Sequence, residues 1–411
     1  MKILYISQYF PPEAGATQSR ALEMVRYLAG QGHEVTVLCN LPNHPSGIIA
    51  PGYRHRWQVV EKWQGVRVVR TWVFTRPRKN LLVRAFFYLS FMISSFWAGW
   101  RMERHFDVVF ATSPPPLTGV TGWLLSRMKG AAFVYEVRDL WREMACQLGA
   151  LENPLWIWLG QHLDRFLYRR ASRLICVTQG IQDALIRQGW GEKTHLIRNG
   201  ANTEPFSDCG QDVRKELGWN GKFVVLYAGV WGLAQGMENL CALAERCLTD
   251  SRFQFVFAGT GPMAATVKRL QQERRLLNLM LLGEIPRDKM AGVISAADCG
   301  LVPLKDKPLF RGAVPTKMFD FWACRRPVVV SVDGEARQIL EESRAGIYVA
   351  PEDVAGMAAA IRYLCENPHH CRAMGRAGRH YVKARFSRRR AAAQLEAVLL
   401  ALVAKTPGNQ K

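Results

Sequence analysis

Residues 223–229 have the sequence FVVLYAG, an unbroken apolar run that ends in glycine. A run of this length without alternation is typical of a strand that is buried on both faces of a parallel sheet. A helical period follows it, with apolar residues at Leu240 and Leu243. The stretch therefore predicts a strand and a helix of a doubly wound α/β domain, and Gly229 lies where the strand ends.

The same pattern recurs along the second half of the chain. Further apolar runs end in small or polar residues, at 253–258, 280–282, 299–302 and 327–331. Open parallel sheets bind ligands at the carboxyl ends of their strands, where small residues let the backbone approach phosphate and sugar. We therefore expect Gly229, Gly259 and Gly261 to contact a ligand.

An equivalent series occupies the first half, with apolar runs at 3–7, 35–38, 107–111, 132–136 and 173–177. A chain of 411 residues is long enough for two α/β domains. We expect an N-terminal Rossmann-like domain over residues 1–203 and a second one over 204–380. A last helix followed by a polar tail is expected within residues 381–411.

The formal net charge of the chain is +21, and its ten cysteines are scattered singly. Nucleic acid, anionic lipid and phosphorylated small molecules all suit such a charge, and the charge alone does not choose among them. No Cys-x-x-Cys pair or Cys/His ligand spacing occurs. The cysteines therefore predict neither a zinc site nor a disulfide framework.

Residues 81–100 (LLVRAFFYLSFMISSFWAGW) are apolar except for Arg84, and basic residues flank them on both sides. Three interpretations are open: an interfacial helix on anionic lipid, a buried core helix, and a membrane span. The basic flanks favour the first, and the position within a domain argues against the third. For the first, the expected membrane contacts are Phe86, Phe87, Phe91, Trp97, Arg84 and Arg101.

Residues 312–321 (GAVPTKMFDF) and the RPVV that follows at 326–329 resemble retaining glycosyltransferases of family 4. Within that family the chain is most similar to the branch that builds bacterial O-antigen and capsule, which includes proteins described as L-fucosamine transferases. Other matching motifs occur in the same order: GHEV at 32–35, PN at 42–43 with Gly47, EVRDLW at 136–141, NG at 199–200, YAG at 227–229, QG at 235–236 and GTGP at 259–262.

This resemblance implies the GT-B fold, in which two Rossmann-like domains with parallel sheets face each other across a cleft. It implies that the C-terminal domain holds the nucleotide, that the N-terminal domain holds the acceptor, and that the final helix crosses back to the N-terminal domain. It also implies a reaction without catalytic metal or cofactor. The sequence agrees, because it lacks the Asp-x-Asp pair that holds a divalent ion in another common architecture.

The donor-binding residues are expected around residues 315–317 (PTK), which open a helix. A helix N-terminus attracts the growing negative charge of a departing diphosphate, so we expect contacts from Pro315, Thr316 and above all Lys317. The alternative for Lys317 is an ordinary solvated helix lysine. Arg311 is expected as a second cation, and Asp320 as the acceptor of ribose hydrogen bonds.

Three residues of the N-terminal half complete the expected site. Gly15 should let the first loop approach the transferred sugar or the phosphate, unless it is simply a turn glycine. Asp139 is expected to orient a sugar and Arg138 to offset phosphate charge. A purely structural Arg138–Asp139 ion pair is the alternative.

The chain departs from the wider family at two places. Of two glutamates separated by seven residues, the first is replaced by Gly312 and the second by Asp320. An arginine and a lysine that follow the first C-terminal strand are replaced by Val230-Trp231 and Gln235. The missing cations increase the part that Lys317 and Arg311 must take in binding the donor.

The expected reaction transfers a sugar from a nucleotide donor, preferably UDP, to a polyprenyl-diphosphate-linked glycan at the inner face of the cytoplasmic membrane. An N-acetylated hexosamine such as L-FucNAc is one candidate sugar. Two alternatives are a sugar-nucleotide 2-epimerase of the same fold and a basic nucleic-acid-binding protein. No recognition motif or long basic run supports the latter.

Overall fold

The structure of the chain is a computed structural model. It describes residues 1–13, 15–44, 46–77, 81–103, 105–147, 153–201 and 210–404. The expected polar tail at 405–411 and part of the expected boundary between the domains, residues 202–209, lie outside the described residues.

The chain divides into two compact units. The first consists of Met1–Asn199 together with Arg388–Lys411, and the second of Gly200–Ser387. Each has its own sheet between two hydrophobic clusters. Each unit therefore has the two helix layers that a doubly wound sheet needs on its faces.

The first unit contains an eight-stranded sheet in the order β3-β4-β2-β1-β5-β6-β7-β8. Its strands are β1 (Lys2–Ile6), β2 (Glu34–Asn40), β3 (Gln58–Trp63), β4 (Val66–Thr71), β5 (Val108–Ser113), β6 (Ala132–Val137), β7 (Arg173–Cys176) and β8 (Thr194–Leu196). The helices between them are α1 (Ala16–Gly30), α2 (Leu81–Trp100), α3 (Leu117–Lys129), α4 (Trp141–Gln147), α5 (Pro154–Arg170) and α6 (Gln179–Arg187).

The second unit contains a six-stranded parallel sheet in the order β11-β10-β9-β12-β13-β14. Its elements are α7 (Gly210–Glu216), β9 (Phe223–Ala228), α8 (Met237–Arg246), β10 (Phe253–Ala258), α9 (Ala264–Glu273), β11 (Leu279–Gly283), α10 (Arg287–Ala296), β12 (Cys299–Pro303), α11 (Lys317–Ala323), β13 (Val328–Ser331), α12 (Glu335–Ser343), β14 (Gly346–Tyr348), α13 (Val354–Glu366) and α14 (Pro368–Arg385).

The last helix, α15 (Arg388–Val403), packs in the core of the first unit against α1. His33 joins three parts of this unit, because one ring nitrogen lies 2.9 Å from Glu396 on α15 and the other 3.3 Å from the amino group of Met1. The GHEV motif at 32–35 thus has a structural role, since it attaches the returning helix to the start of β2.

The structure confirms the strands that the sequence predicts, with shifts of at most two residues at their ends. It also confirms two α/β domains with parallel sheets, and one unpredicted edge strand, β3, pairs antiparallel with β4 in the first sheet. The sequence does not predict β3, β4, β8 and β14. β3 alternates half-buried and exposed residues, and β8 and β14 have three residues each, so none of these three shows a long apolar run.

Along the chain the boundaries between the units lie at 199/200 and 387/388, whereas the sequence predicts them at 203/204 and 380/381. The second difference has a clear cause, because residue 381 lies inside α14, which runs to Arg385 without interruption. A short crossover follows, in which the amide of Ala201 donates to the carbonyl of Phe386. Gly200 is required there, because a Cβ at this position would collide with the Phe386 carbonyl.

Leu399→Ala should lower the free energy of unfolding by about 2–5 kcal/mol, because Leu399 on α15 is completely buried in the first unit's core. Leu400→Ala is the matched control, since the neighbouring side chain is exposed and its loss should change stability by about 0.5 kcal/mol or less. Urea denaturation of the full chain measures both variants. Equal effects of the two substitutions would contradict the packing of α15 on the first unit.

Candidate functional site

Lys317 is the first residue of α11, and its side chain lies across the carboxyl end of β9. Its Nζ atom is 3.9 Å from the centroid of the Tyr227 ring. A Cβ atom on Gly229 would lie 3.2 Å from the same Nζ atom. The lysine is therefore packed against strand β9 rather than extended into solvent, which contradicts the alternative of an ordinary solvated lysine.

The position of Lys317 coincides with the switch point of the second sheet. From β9 the chain adds β10 and β11 on one side, and from β12 it adds β13 and β14 on the other. Ligands of open α/β sheets bind at this point, outside the carboxyl ends of the two strands where the order reverses. The lysine ammonium group thus lies where the fold favours a ligand.

Burial lowers the pKa of Lys317 to about 7, and Asp320, which follows it on α11, acts in the opposite direction. The lysine side chain keeps some contact with solvent, because the residue is only half-buried. Near neutral pH the lysine consequently exists in both charged and neutral forms. An approaching phosphate would favour the charged form, because an opposite charge raises the pKa of an amine.

The three glycines expected to contact a ligand are also needed for the packing of the protein's own loops and side chains. Gly229 leaves room for Lys317, whereas a Cβ on Gly259 would collide with the Gly229 carbonyl. A Cβ on Gly261 would lie 2.6 Å from the carbonyl oxygen of Trp231. These glycines therefore allow the loops after β9 and β10 to pack closely, and any ligand contact adds to that role.

Arg311 and Lys317 have different surroundings. The Arg311 side chain is 63% exposed, and its Nε atom lies 4.0 Å from Asp333. Its carbonyl also occupies the space where Gly334 would carry a side chain. Arg311 is thus an accessible cation near the loop after β13, whereas Lys317 contacts β9.

Pro315, Thr316 and Asp320 are all half-buried around the start of α11. The Thr316 carbonyl accepts a hydrogen bond from the amide of Phe319 at 3.0 Å, and the hydroxyl of Thr316 makes no capping bond. Asp320 lies in the first turn of the helix and acts on the pKa of Lys317. The three residues and Lys317 thus belong to one short segment, as the sequence predicts.

The wider family has an arginine and a lysine after this strand, whereas the loop after β9 in this chain has no basic side chain. Val230 is exposed, and Trp231 is buried with no hydrogen-bond partner for its indole nitrogen among the described residues. Lys305, which no sequence pattern singles out, reaches the same loop from beyond the end of β12. Its amide donates to the Ala234 carbonyl at 2.9 Å, and its Cγ lies 3.9 Å from the Cβ position of Gly236. Only tertiary structure could reveal this proximity.

In the first unit, Gly15 is the N-cap of α1 and has a φ of 154°. A Cβ at this position would collide with the side-chain oxygen of Gln18. The Gly15 carbonyl accepts the amide of Ser19 at 3.0 Å. The Gln18 side chain can move away, so it is the φ of Gly15 that disfavours any other residue, and this local preference exists with or without a ligand.

Arg138 and Asp139 follow β6 directly and are half-buried. Burial raises the pKa of Asp139, and Arg138 opposes that shift. No ion pair joins the two side chains in the described part of the chain, and the buried Nε atom of Arg138 has no hydrogen-bond partner there. The simple Arg138–Asp139 structural pair is therefore not present, and both groups are available to a polar ligand.

A buried ion pair just below this loop was not anticipated. Arg20 on α1 donates through Nε to Glu136 of β6 at 2.9 Å, and its Nη atoms donate to the carbonyls of Ile197 and Arg198. Thr112 of β5 donates to the same carboxylate at 2.7 Å. The signal in the sequence was a glutamate inside an apolar strand, since a buried carboxylate needs a partner.

The predicted membrane contacts on α2 separate into two groups. Phe86 and Trp97 are 57% and 45% exposed, and Arg84 and Arg101 are also exposed. Phe87 and Phe91 are 2% and 0% exposed, so their assignment as membrane contacts is wrong. These two side chains point into the cluster formed with β1, β2 and β4, because positions four residues apart share one face of a helix.

In length and composition α2 is sufficient to cross a membrane over Leu82–Trp100, although 28% of this window is buried inside the first unit. Arg78, Lys79 and Arg104, which belong to its basic flanks, lie outside the described residues. Within the described residues, no group of three or more His, Cys, Asp or Glu side chains is placed to hold a metal ion.

Comparisons with known proteins agree with this architecture. Residues 15–200 match the family described as "Glycosyl transferase 4-like domain", and residues 222–367 match "Glycosyl transferases group 1". WcaI of Escherichia coli (strain K12), named provisionally as a colanic acid biosynthesis glycosyl transferase, is 26% identical over 90% of this chain and 93% of its own length.

Solved structures of glycosyltransferases share the fold. Sucrose-phosphate synthase from Thermosynechococcus elongatus superposes with a TM-score of 0.76 at 20% identity, covering 98% of this chain and 100% of that structure. HepE of Anabaena in complex with UDP-glucose has a TM-score of 0.71 at 17% identity, with the same coverage.

The two units and the matches to them define an enzyme, a glycosyltransferase with the GT-B fold. The chain thus contains a glycosyl transferase 4-like domain in its first unit, followed by a glycosyl transferases group 1 domain in its second unit.

Asp139→Asn should raise the melting temperature near neutral pH, because burial raises the pKa of Asp139 and so disfavours its charged form in the folded state. This increase in melting temperature should become smaller as the pH falls through the raised pKa towards the ordinary value of about 3.9. The Asp139 carboxyl of the unmodified protein is then protonated and no longer carries a buried charge. Calorimetry across this range measures the increase, with Asp306→Asn as an exposed control.

A melting temperature unchanged or lowered by Asp139→Asn at neutral pH would contradict the burial of an unpaired carboxylate. An unchanged turnover number in the same variant would contradict a role of Asp139 in orienting a sugar.

Proposed function

We propose that this glycosyltransferase moves a sugar, with retention of configuration, from a UDP-linked donor to a polyprenyl-diphosphate-linked glycan during cell-surface polysaccharide synthesis. An N-acetylated hexosamine such as L-FucNAc is the proposed sugar. The observation that carries the proposal is the position of Lys317, a desolvated lysine at the switch point of the second sheet.

The chemistry requires stabilisation of a leaving group. The bond between the sugar C1 and the diphosphate oxygen breaks, the acceptor oxygen bonds to C1, and the departing phosphate takes the proton of the acceptor hydroxyl. Lys317 and Arg311 would neutralise the charge that develops on the diphosphate, with the amides at the start of α11 as further donors. Asp320 would bind the ribose, and Asp139 with Arg138 would orient the sugar or acceptor.

The relatives support the choice of donor and pathway. The HepE structure contains UDP-glucose, and the name of WcaI refers to colanic acid biosynthesis. The half-buried lysine, the exposed arginine and the acid of α11 supply two cations and a hydroxyl-binding carboxylate, which suits a nucleoside diphosphate.

Lys317→Ala should weaken UDP binding by about 10- to 100-fold, because a charge-assisted contact to phosphate is lost. Calorimetric titration of UDP, GDP, dTDP and CDP without added metal measures the affinity and selectivity. Lys268→Ala, which removes an exposed lysine from α9, is the matched control. Binding of UDP that is equal in both variants would contradict the proposed donor site.

The two alternative functions make different demands. A sugar-nucleotide 2-epimerase would convert the donor without any acceptor, so incubation with UDP-sugar alone and analysis of the products distinguishes it from a transferase. A nucleic-acid-binding protein would bind duplex in a salt-sensitive manner and have no affinity for UDP.

We also propose that the first unit docks on the anionic inner face of the cytoplasmic membrane. Large apolar side chains recur every three or four residues along α2 and are exposed. They are Leu82, Phe86, Leu89, Ile93, Trp97 and Trp100. A stripe over five turns of helix with buried residues on the opposite side is typical of an interfacial helix.

A second set of exposed apolar side chains, on α5, supports membrane docking through this side of the first unit. The first two turns of α5 expose Leu155, Trp156, Trp158 and Leu159, and α3 packs between α2 and α5 in one helix layer. At the end of α2, the Arg101 guanidinium lies 5.4 Å from the Trp97 ring, a pairing of basic and aromatic residues that suits the lipid headgroup region.

Phe86→Ser combined with Trp97→Ser should abolish most flotation with anionic liposomes, because both side chains belong to the stripe. Leu277→Ser is the control, since it removes a side chain that is 89% exposed on the second unit. Arg84→Gln with Arg101→Gln should reduce binding by about 5-fold per charge on anionic vesicles only.

Equal flotation of the unmodified protein with neutral and anionic vesicles would contradict the electrostatic part of this proposal. Loss of flotation in Leu277→Ser as well would contradict the assignment to α2.

A further inference from the structure

Tyr227 contributes a buried ring at the end of β9, on the face of the sheet opposite to α11. Even-numbered residues of β9 pack in the cluster that contains α11, whereas Tyr227 packs with α8 and α13. The Lys317 side chain starts on the α11 side, crosses the end of the strand at Gly229, and brings its Nζ to 3.9 Å from the centroid of this ring.

The ring itself is held rigidly. Tyr227 is 0% exposed, its hydroxyl donates to the Val230 carbonyl at 2.6 Å, and the Phe257 ring contacts it edge-on at 6.0 Å between centroids. A cation at such a distance from an aromatic ring is attracted by the negative face of the ring, and more strongly when water is excluded.

We propose that Tyr227 is a positioning residue that holds the Lys317 ammonium group at the switch point of the second sheet, in place for the diphosphate of the donor. This inference rests on the proposed role of Lys317 in donor binding. It explains why Tyr227 and Gly229 at the end of β9 occur together with Lys317, although the lysine comes from a separate part of the chain.

Among the residues that the structure describes, Asp320 is the charged group that acts on the pKa of Lys317. Asp320 on α11 raises its pKa against the larger effect of burial, and Tyr227 is the titratable group that faces it from β9. Burial raises the pKa of the Tyr227 phenol, so this residue stays neutral across the accessible range. UDP binding should therefore weaken as the pH rises above about 7, because the empty site then loses the proton of Lys317.

Tyr227→Leu and Tyr227→Phe test the inference. Removal of the ring in Tyr227→Leu should weaken UDP binding about 5- to 30-fold at pH values near 6, where the lysine is charged, and shift the fall in affinity to lower pH. Tyr227→Phe keeps the ring and loses only the hydrogen bond to Val230, so it should stay within about threefold of the unmodified protein.

Phe255→Leu is the matched control for damage to the core, because Phe255 on β10 is completely buried in the same cluster and is not the ring that holds Tyr227. It should lower thermal stability as Tyr227→Leu does, yet leave the pH profile of UDP binding unchanged. A second measurement uses lysines methylated with carbon-13. The Lys317 resonance, identified by its absence in Lys317→Ala, should show a ring-current shift that Tyr227→Phe retains and Tyr227→Leu loses.

The outcomes separate this inference from the proposed function. UDP binding that depends on Lys317 but is equal in Tyr227→Leu and the unmodified protein overturns the inference and leaves the donor site intact. Absence of UDP binding to the unmodified protein overturns the donor site itself. An unshifted Lys317 resonance in the unmodified protein also overturns the inference, because the ammonium group would then lie away from the ring.

Discussion

The ammonium group of Lys317, which burial partly removes from water, constrains the residues around it at the end of β9. A charged amine removed from water needs compensation, and the ring of Tyr227 and the carboxylate of Asp320 supply it. Space is also required, and Gly229 provides it by lacking a side chain. The loop at Gly259 approaches Gly229 closely, because Gly259 has no side chain. The glycines after β9 and β10 therefore leave room for this lysine and for the close packing of the loops around it.

The first unit also contains buried charged side chains, but here they compensate each other within the protein. Arg20 and Glu136 form a buried ion pair that ties α1 to β6 and, through Thr112, to β5. Removing one partner of such a pair lowers the free energy of unfolding by far more than the intact pair contributes to it, because the other charge would stay buried alone. The loop with Arg138 and Asp139 begins two residues beyond Glu136, so the pair fixes the starting point of the groups that we expect to orient a sugar.

Helix α2 has one face in the core of the first unit and one exposed face, which is the face that we propose to contact the membrane. Phe87 and Phe91 belong to the core, whereas Phe86 and Trp97 are exposed on the other side of the same helix. Core helix and interfacial helix are thus compatible descriptions of two faces. The exposed residues at the start of α5 extend the apolar surface beyond the helix from which the membrane hypothesis arose.

The sequence by itself determined the fold class, most strands and the segment from Pro315 to Asp320, because unbroken apolar runs and helix starts are local patterns. It could not determine which side of α2 is buried, since a helix that is apolar all round has no preferred face in sequence. It also could not pair Lys317 with Tyr227, Arg20 with Glu136, or Lys305 with the loop after β9. These contacts join residues far apart in the chain, and only the packing of helices on a finished sheet brings such groups together.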